Sequence, residues 1–545
     1  MSAIPPLPPV EPELDMDDIQ GIAVPGFLKP SQVLLTVWHD KDAATLVRVR
    51  AFLRELQVTS AADALADRRT FRLANGRRKP AEGTGVPTLA DRPVLTGIGF
   101  TYAGLRHLAS DACELSSDAF KLGLAARSAL LGDPTDETSS GHPSAWRVGK
   151  RGDEADFMLV LAGDVGKQVR ARAKELEGLV RTFARAVDLQ GGHRLPGGRE
   201  HFGFADGISQ PGIRGRASDQ AGDYVTDRLI AAADWPASSL YGLPGQDLVW
   251  PGEFVIGYAR SGPDPLQPGV IDDAQPRWAR NGSFLVYRRL KQDHVQFWNT
   301  FNDQLKELKA KPGFRRVTKE SLAAHLIGRH PSGAPLSRRP GHGAADSRAL
   351  GSNPYANNHF RFDSPTPRLQ LLDGHDDFPS ACADPLGLAC PLSSHIRKVN
   401  PRDSTTDVGG SSVTYSHRIL RIGLPYGTPY RSKPRGTRET EAGDRGLLFL
   451  CIQASIEDQF EFLQARWLND DSRPKAPSGR DLIAGASAAT PVAPIRCTIS
   501  GSGGEQANVA VGMPHVTPTG GGYFFVPSLR AIAEVLSQPV AATAQ

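Results

Sequence analysis

The sequence predicts an α+β protein in which one strand–helix unit occurs twice. Residues 156–162 (DFMLVLA) and 446–453 (GLLFLCIQ) are apolar runs of strand length. Each is followed by a segment in which apolar residues recur every three or four positions, over about 166–188 and again after Ser455. This similarity favours an internal duplication, although any two strand–helix units would share the pattern.

The other elements follow from the same periodicities and from capping residues. Asp164 is the expected N-cap of the 166–188 helix, and Ser455 is the expected N-cap of the later one. The segment 97–104 (GIGFTYAG) is echoed at 421–427 (RIGLPYG), which again favours duplication. The remaining predicted strands are 33–38, 97–100, 251–258, 283–287 and 520–528, and the remaining predicted helices are 42–56, one from near Ala103, 290–309 and 529–537.

We divide the chain into four parts. Residues 1–14 are a Pro-rich tail expected to be disordered, and residues 15–215 form the N-terminal half. Residues 216–365 are connecting insertions and strands, and residues 366–545 form the C-terminal half. The segment 331–354, rich in Pro, Gly, Ser and Arg, is either an ordered insertion or a mobile loop.

Composition excludes several classes of protein. A net charge of +4 on 545 residues is too small to indicate nucleic-acid binding, and no apolar run is long enough for a membrane span. Five cysteines are few and odd in number, which suits a reducing compartment. The first residues show neither a secretory signal nor a twin arginine, so we expect a cytoplasmic protein.

One acid stands among glycines and aromatic residues in the string HFGFADGISQP at 201–211. A buried carboxylate such as Asp206 loses hydration energy unless it has a partner or a function, although Ala-Asp-Gly alone favours a simple turn. The string closely resembles the GxxDG signature of the dye-decolourising peroxidases, a haem peroxidase family. In that family the aspartate lies on the peroxide-binding side of the haem, so the resemblance implies that Asp206 is the catalytic acid–base and contacts the cofactor site.

A second stretch offers an iron ligand. The segment 390–402 (CPLSSHIRKVNPR) is similar to the family's A-H-I-R-K-x-N-P-R, whose histidine binds haem iron, which implies that His395 is the proximal ligand. Arg397, two residues on, would face the same side of an extended segment and reach a haem propionate, or it is a surface arginine. Asp481 is the candidate carboxylate for the other nitrogen of His395, because it follows the second helix as Asp206 follows the first.

A third stretch, 420–427 (LRIGLPYG), resembles the family's L-R-R-G-I-P-Y-G. The resemblance implies that Arg421 is the distal arginine, which acts in catalysis and contacts the cofactor. Ile422 departs from the pattern and puts a supporting contact in doubt. Tyr426 and Trp467 are candidate electron relays to bulky substrates, or they are core residues, which we favour for Trp467.

Together the three motifs identify the chain as a member of this family, in its longer advanced class. The resemblance implies two ferredoxin-like halves with antiparallel sheets, like a dimeric α+β barrel, and haem b in the C-terminal half. It implies that hydrogen peroxide is reduced through a ferryl intermediate and that dyes, phenols or other organic reductants are oxidised. The alternatives are a haem-binding or iron-handling protein without significant turnover, and a scaffold without haem. We expect a monomer or a homodimer.

Overall fold

A computed structural model describes residues 10–74, 88–340, 346–374, 380–430, 443–485, 495–501, 504–511 and 514–539. Across these described ranges, no helix is both long and apolar enough to cross a membrane. The architecture is one large antiparallel sheet with helices packed against it.

The N-terminal half contributes four strands and three long helices. In chain order they are β1 (Ser31–His39), α1 (Ala43–Glu55), α2 (Ala61–Ala74), β2 (Leu95–Phe100), β3 (Phe157–Gly163), α3 (Gly166–Val180) and β4 (Ala184–His193). β1 lies between β3 and β4, and β3 also pairs with β2, so the strand order is β2-β3-β1-β4. Asp42 starts α1 because its carboxylate accepts the Thr45 N–H at 3.0 Å.

A second set of elements repeats this order; it begins at Ser283, within the part expected to be connecting, and is called the C-terminal half from here on. Its elements are β5 (Ser283–Gln292), α4 (His294–Lys309), α5 (Lys319–Ile327), α6 (His395–Val399), β6 (Leu424–Tyr426), β7 (Gly446–Gln453), α7 (Ile456–Leu468) and β8 (Val516–Val526), and a last turn of helix covers Leu529–Ala531 and Ile532–Leu536. β7 pairs with β6 and β5, and β5 pairs with β8. The order β6-β7-β5-β8 matches β2-β3-β1-β4, which supports duplication and confirms the α+β class.

The two halves form a single sheet rather than two separate ones. β8 pairs with β2 at Phe525 and Phe100, which joins the halves edge to edge. The end strands β4 and β6 also approach each other, because a Cβ atom at Gly192 would lie 3.4 Å from Leu424 Cβ. The hydrogen-bonded ladder does not close in the described ranges, so the sheet is barrel-like but open.

Both faces of the central strands are buried, which explains their uninterrupted apolar sequences. In β1, Val33, Leu35 and Val37 belong to the cluster that includes the inner faces of α1 and α3. Leu34 and Trp38, on the opposite face, belong to a second cluster shared with strands of the C-terminal half. The core therefore continues from one half into the other.

Several predicted boundaries are wrong. The helix predicted over 166–188 ends at Val180, and β4 begins at Ala184. The apolar residues at its end alternate in a way that fits a strand as well as a helix. Residues 251–258 are a short turn of helix followed by irregular chain, not a strand.

Two further expectations are corrected by ion pairs. Asp164 does not cap α3, because its carboxylate instead pairs with Lys29 at 2.7 Å and Arg92 at 2.8 Å in a buried cluster. Residues 11–14 of the expected disordered tail are packed, since Glu11 pairs with Arg214 at 2.9 Å. Residues 1–9 lie outside the described ranges.

Candidate functional site

The loop after β4 carries Asp206 and is shaped by a neighbouring carboxylate. Glu200 accepts hydrogen bonds from the backbone N–H groups of Phe202 at 2.7 Å and Phe204 at 2.9 Å. Gly207 has a φ of +76°, a conformation that residues with a Cβ rarely adopt. The glycine that follows Asp206 therefore allows the chain to turn directly after the carboxylate.

Arg421 pairs with Asp206 and is itself held in place. Its guanidinium donates to Asp206 Oδ1 at 2.8 Å and to the Ser209 carbonyl at 3.1 Å. The Gln210 side chain donates to the Arg421 carbonyl at 2.7 Å and accepts its N–H at 3.2 Å. Burial raises the pKa of Asp206, but the charge and hydrogen bond of Arg421 outweigh it and hold that pKa below its ordinary value. The carboxylate is therefore ionised at neutral pH.

A second pair consists of His395 and Asp481. His395 Nδ1 lies 2.8 Å from Asp481 Oδ2, while Asp481 Oδ1 accepts the N–H groups of Ile483 and Ala484, each at 2.7 Å. Burial lowers the pKa of His395, but the charge and hydrogen bond of Asp481 outweigh it and raise that pKa above its ordinary value. His395 Nε2 makes no hydrogen bond within the described part of the chain.

The two pairs lie near each other, and three of their four side chains are partly exposed. The side chains of His395 and Arg421 are each 29% exposed and that of Asp206 is 37% exposed, whereas Asp481 is fully buried behind His395. The charges of Arg421 and Asp206 both act on the pKa of His395, so the pairs are close to each other. A Cβ atom at Gly203 would meet nothing within 4 Å, which shows open space beside the loop. The site therefore consists of a carboxylate–arginine pair near a histidine–carboxylate pair, with open space beside the Asp206 loop that is called the cavity below.

One apolar cluster connects the two sides of this cavity. It includes Phe204, two residues before Asp206, and Leu482, next to Asp481, with Ile396 packed against it. Phe202 of the same cluster stacks on Phe297 with ring centroids 4.2 Å apart. An imidazole nitrogen left unpaired beside an apolar cluster, with its other nitrogen on a carboxylate, is the donor arrangement of a haem iron ligand. The residues present therefore fit a haem.

Arg397 lies apart from the cavity in a buried cluster. Its segment is helical rather than extended, so the reason for placing it on the same side as His395 is wrong. Its guanidinium donates to the Cys390 carbonyl at 2.9 Å and pairs with Asp384 at 3.3 Å, above the ring of Phe362. These contacts anchor α6 rather than face the cavity.

Both candidate relay residues are buried. The Tyr426 hydroxyl lies 3.4 Å from Asp444, the ring lies under the guanidinium of Arg289, and burial raises the pKa of the phenol. Trp467 donates its indole N–H to Asp407 at 3.0 Å. The Trp467 ring also packs edge-on against Phe462 and His417.

Two charged residues near the site were not singled out from the sequence. Glu200 shapes the Asp206 loop, and burial raises its pKa to about 7. Lys398 is buried in α6, and burial lowers its pKa to about 8. Glu200 lies directly beside a motif and Lys398 lies inside one. The only sequence feature that could have pointed to either residue is its charge.

Asp206 and Asp481 are not equivalent in the fold. Asp206 follows the last strand of its half, whereas Asp481 precedes the last strand of its half. The reason for selecting Asp481 was therefore incorrect, although Asp481 does contact His395.

Comparisons with known proteins agree with this geometry. Residues 261–478 match the family described as Dyp-type peroxidase, C-terminal. The chain is 26% identical over 541 residues to the dye-decolorizing peroxidase msp1 of Mycetinis scorodonius, covering 96% of this chain and 88% of that protein. It is 29% identical over 449 residues to the multifunctional dye peroxidase DyP2 of an Amycolatopsis strain, covering 79% and 80% respectively.

A solved structure has the same fold over nearly the whole chain. The structure of an ancestral D-type dye decolorizing peroxidase matches with a TM-score of 0.69 and 28% identity, covering 96% of this chain and all of that one. The match includes both halves, and the family profile spans His395 and Arg421. The comparisons confirm the predicted resemblance: in sequence and fold the chain is similar to the dye-decolourising peroxidases, and it is an enzyme of the peroxidase class.

Proposed function

We propose that this chain is a haem peroxidase that reduces hydrogen peroxide and oxidises organic reductants such as dyes and phenols. Haem b would bind through His395, and Asp206 and Arg421 would act on the peroxide. The observation that supports the proposal is the Asp206–Arg421 pair lying near His395, whose Nε2 makes no hydrogen bond within the described part of the chain. A haem bound there supplies the redox chemistry, taking two oxidising equivalents from peroxide and passing them to reductants.

Asp206 moves the proton. Its carboxylate is ionised at neutral pH, because Arg421 holds its pKa below the ordinary value. It can therefore accept a proton from one peroxide oxygen and return that proton to the other, so that water leaves as the O–O bond breaks. General acid–base help of this kind contributes about 10²–10⁴-fold to a rate.

Arg421 stabilises the negative charge that develops on the leaving oxygen. Its guanidinium is held by the Ser209 carbonyl as well as by Asp206, so the cation is oriented before peroxide enters. Charge stabilisation by a pre-oriented donor is typically worth about 10²–10³-fold in rate.

Asp481 orients the ligand. By accepting a hydrogen bond from Nδ1–H, Asp481 leaves Nε2 of His395 as the nitrogen available to bind iron. The bound carboxylate also makes the imidazole a stronger donor, which favours the oxidised metal.

The test is a peroxide titration of the haem-loaded protein. We expect a Soret band that changes with one equivalent of hydrogen peroxide and returns when a phenol is added. His395→Ala should lose the spectrum of a histidine-bound iron. A Soret band that only bleaches would instead support a haem-binding or iron-handling protein, and absence of any Soret band would refute both.

The route of electrons to bulky dyes is part of the proposal. Dyes are too large for a buried cavity, so a side chain must relay the electron. Tyr426 lies five residues after Arg421 and contacts the partly exposed Asp444, which supports it over Trp467, whose indole is enclosed near Phe462 and His417.

A further inference from the structure

Lys398 is a buried cation at the centre of the loop that carries Asp481. Its ammonium donates to the carbonyl of Asp470 at 2.7 Å and to the carbonyl of Gly479, and lies 3.4 Å from Ser478 Oγ. Within the described ranges it forms no ion pair with a carboxylate. A buried ammonium is costly unless its donors are used, and here they bind the backbone.

These contacts join the two ends of one loop. Asp470 lies at the start of the loop, two residues after the end of α7, and Gly479 lies two residues before Asp481. The Gly479 N–H also donates to the Asp471 carbonyl at 2.7 Å, and the Asp481 N–H donates to the carbonyl of Leu468 at 3.0 Å. Lys398 therefore fills the interior of a loop whose last residues set the position of the Asp481 carboxylate.

The same short helix carries both the ligand and this clamp. α6 begins at His395, and Lys398 is three residues later, on the same face. His395 contacts Asp481 directly at 2.8 Å, while Lys398 holds the backbone that precedes Asp481. The distance between imidazole and carboxylate is thus fixed from both sides by one helix.

We propose that Lys398 is a positioning residue that holds Asp481 against His395 and thereby sets the electron donation from the imidazole to haem iron. The inference rests on the proposed function, since it takes His395 as the iron ligand. A strong hydrogen bond to Asp481 gives the imidazole anionic character, which stabilises ferric iron. Loosening the loop weakens that bond and stabilises ferrous iron.

If Lys398 acted only through its charge, its removal would change the reduction potential in the opposite direction. Removing a nearby cation, with all positions unchanged, stabilises the more positive ferric state and lowers the reduction potential. Loss of the hydrogen bond to Asp481 raises the reduction potential instead. The sign of the change therefore separates positioning from simple charge.

The experiment compares Lys398→Met with Lys475→Met in the haem-loaded protein. Lys475 belongs to the same loop and carries the same charge, but it pairs with Asp363 at 2.9 Å and is 32% exposed. For Lys398→Met we expect the ferric-to-ferrous ratio at a fixed ambient potential to fall about tenfold, and the iron–histidine stretching frequency of the ferrous protein to fall. For Lys475→Met we expect neither change.

A lowered or unchanged potential in Lys398→Met, with an unchanged stretching frequency, would overturn the proposal. If that variant does not fold, Ser478→Ala is the alternative test, because it removes one partner of the Lys398 ammonium. We then expect the ferric-to-ferrous ratio and the iron–histidine stretching frequency both to fall, but by less than in Lys398→Met. No shift in Ser478→Ala would then count against positioning. If the wild-type protein shows no iron–histidine band, the proposed function itself has failed, which is a distinct result.

Discussion

Replacing Asp206 by Asn tests the proton-transfer role directly. The Asn side chain has nearly the same shape and can still accept a hydrogen bond from Arg421, but it cannot take up a proton. Arg421 keeps its bond to the Ser209 carbonyl at 3.1 Å and its backbone contacts with Gln210, so charge stabilisation should survive. The rate constant with peroxide should therefore fall only by the contribution of acid–base catalysis.

That loss is about 10²–10⁴-fold in the second-order rate constant with peroxide. At about 1.4 kcal/mol for each factor of ten, it raises the barrier by roughly 3–5 kcal/mol. Stopped-flow recording of the Soret change at several peroxide concentrations measures the rate constant. Asp188→Asn is the matched control, because Asp188 is also a partly buried carboxylate paired with an arginine at 2.8 Å, but it lies within β4 rather than in the Asp206 loop. A rate constant for Asp206→Asn within about threefold of the wild type would refute the role.

The pH dependence gives an independent check of the same residue. Asp206 must be ionised to accept a proton, and its pKa lies below the ordinary value. The rate should therefore be nearly constant between pH 5 and 8 and should fall only at acid pH, as the carboxylate takes up a proton. A rate that climbs steadily from pH 5 to 8 would contradict this assignment.

Further predictions concern the neighbouring groups. In Arg421→Leu, the acid limb of the pH–rate profile should move to higher pH, because burial then raises the pKa of Asp206 unopposed; an unmoved limb would contradict the pairing. In Asp481→Asn, NMR titration of the haem-free protein should give a lower His395 pKa than in the wild type, since Asp481 is what raises it. In Tyr426→Phe, steady-state turnover should fall more for large dyes than for small phenols. Equal effects on both would refute the electron-relay role of Tyr426. In Asp164→Ala, urea unfolding should show a loss of about 3–5 kcal/mol in the free energy of unfolding, because two buried cations then share the single carboxylate of Asp67 and one positive charge is left uncompensated, whereas a loss below about 1 kcal/mol would show that the cluster relaxes.

Much of the fold could be predicted from local sequence patterns. The apolar runs of β3 and β7 and the spacing in α3 and α7 depend on near neighbours, so the α+β class could be predicted. The end of α3 could not, because residues 181–188 alternate in a way that fits a helix or a strand. Pairing of β4 with β1, about 150 residues earlier in the chain, decides between them.

The site was predictable only as separate motifs. Asp206, His395 and Arg421 were found from their surrounding strings, but no local pattern states that the Asp206 and Arg421 side chains meet. That contact depends on the approach of β4 to β6 at opposite ends of the sheet. Arg397 was misjudged because a two-residue spacing has opposite meanings in a strand and in a helix.

The central position of β8 has a consequence for biosynthesis. This strand is the last one in the described ranges, yet it lies between β5 and β2 and joins the halves. On the ribosome, the first half can fold early, but the sheet stays divided until residue 526 has emerged. Asp206 and Arg421 come from different halves, so their ion pair forms only once both halves have emerged and docked.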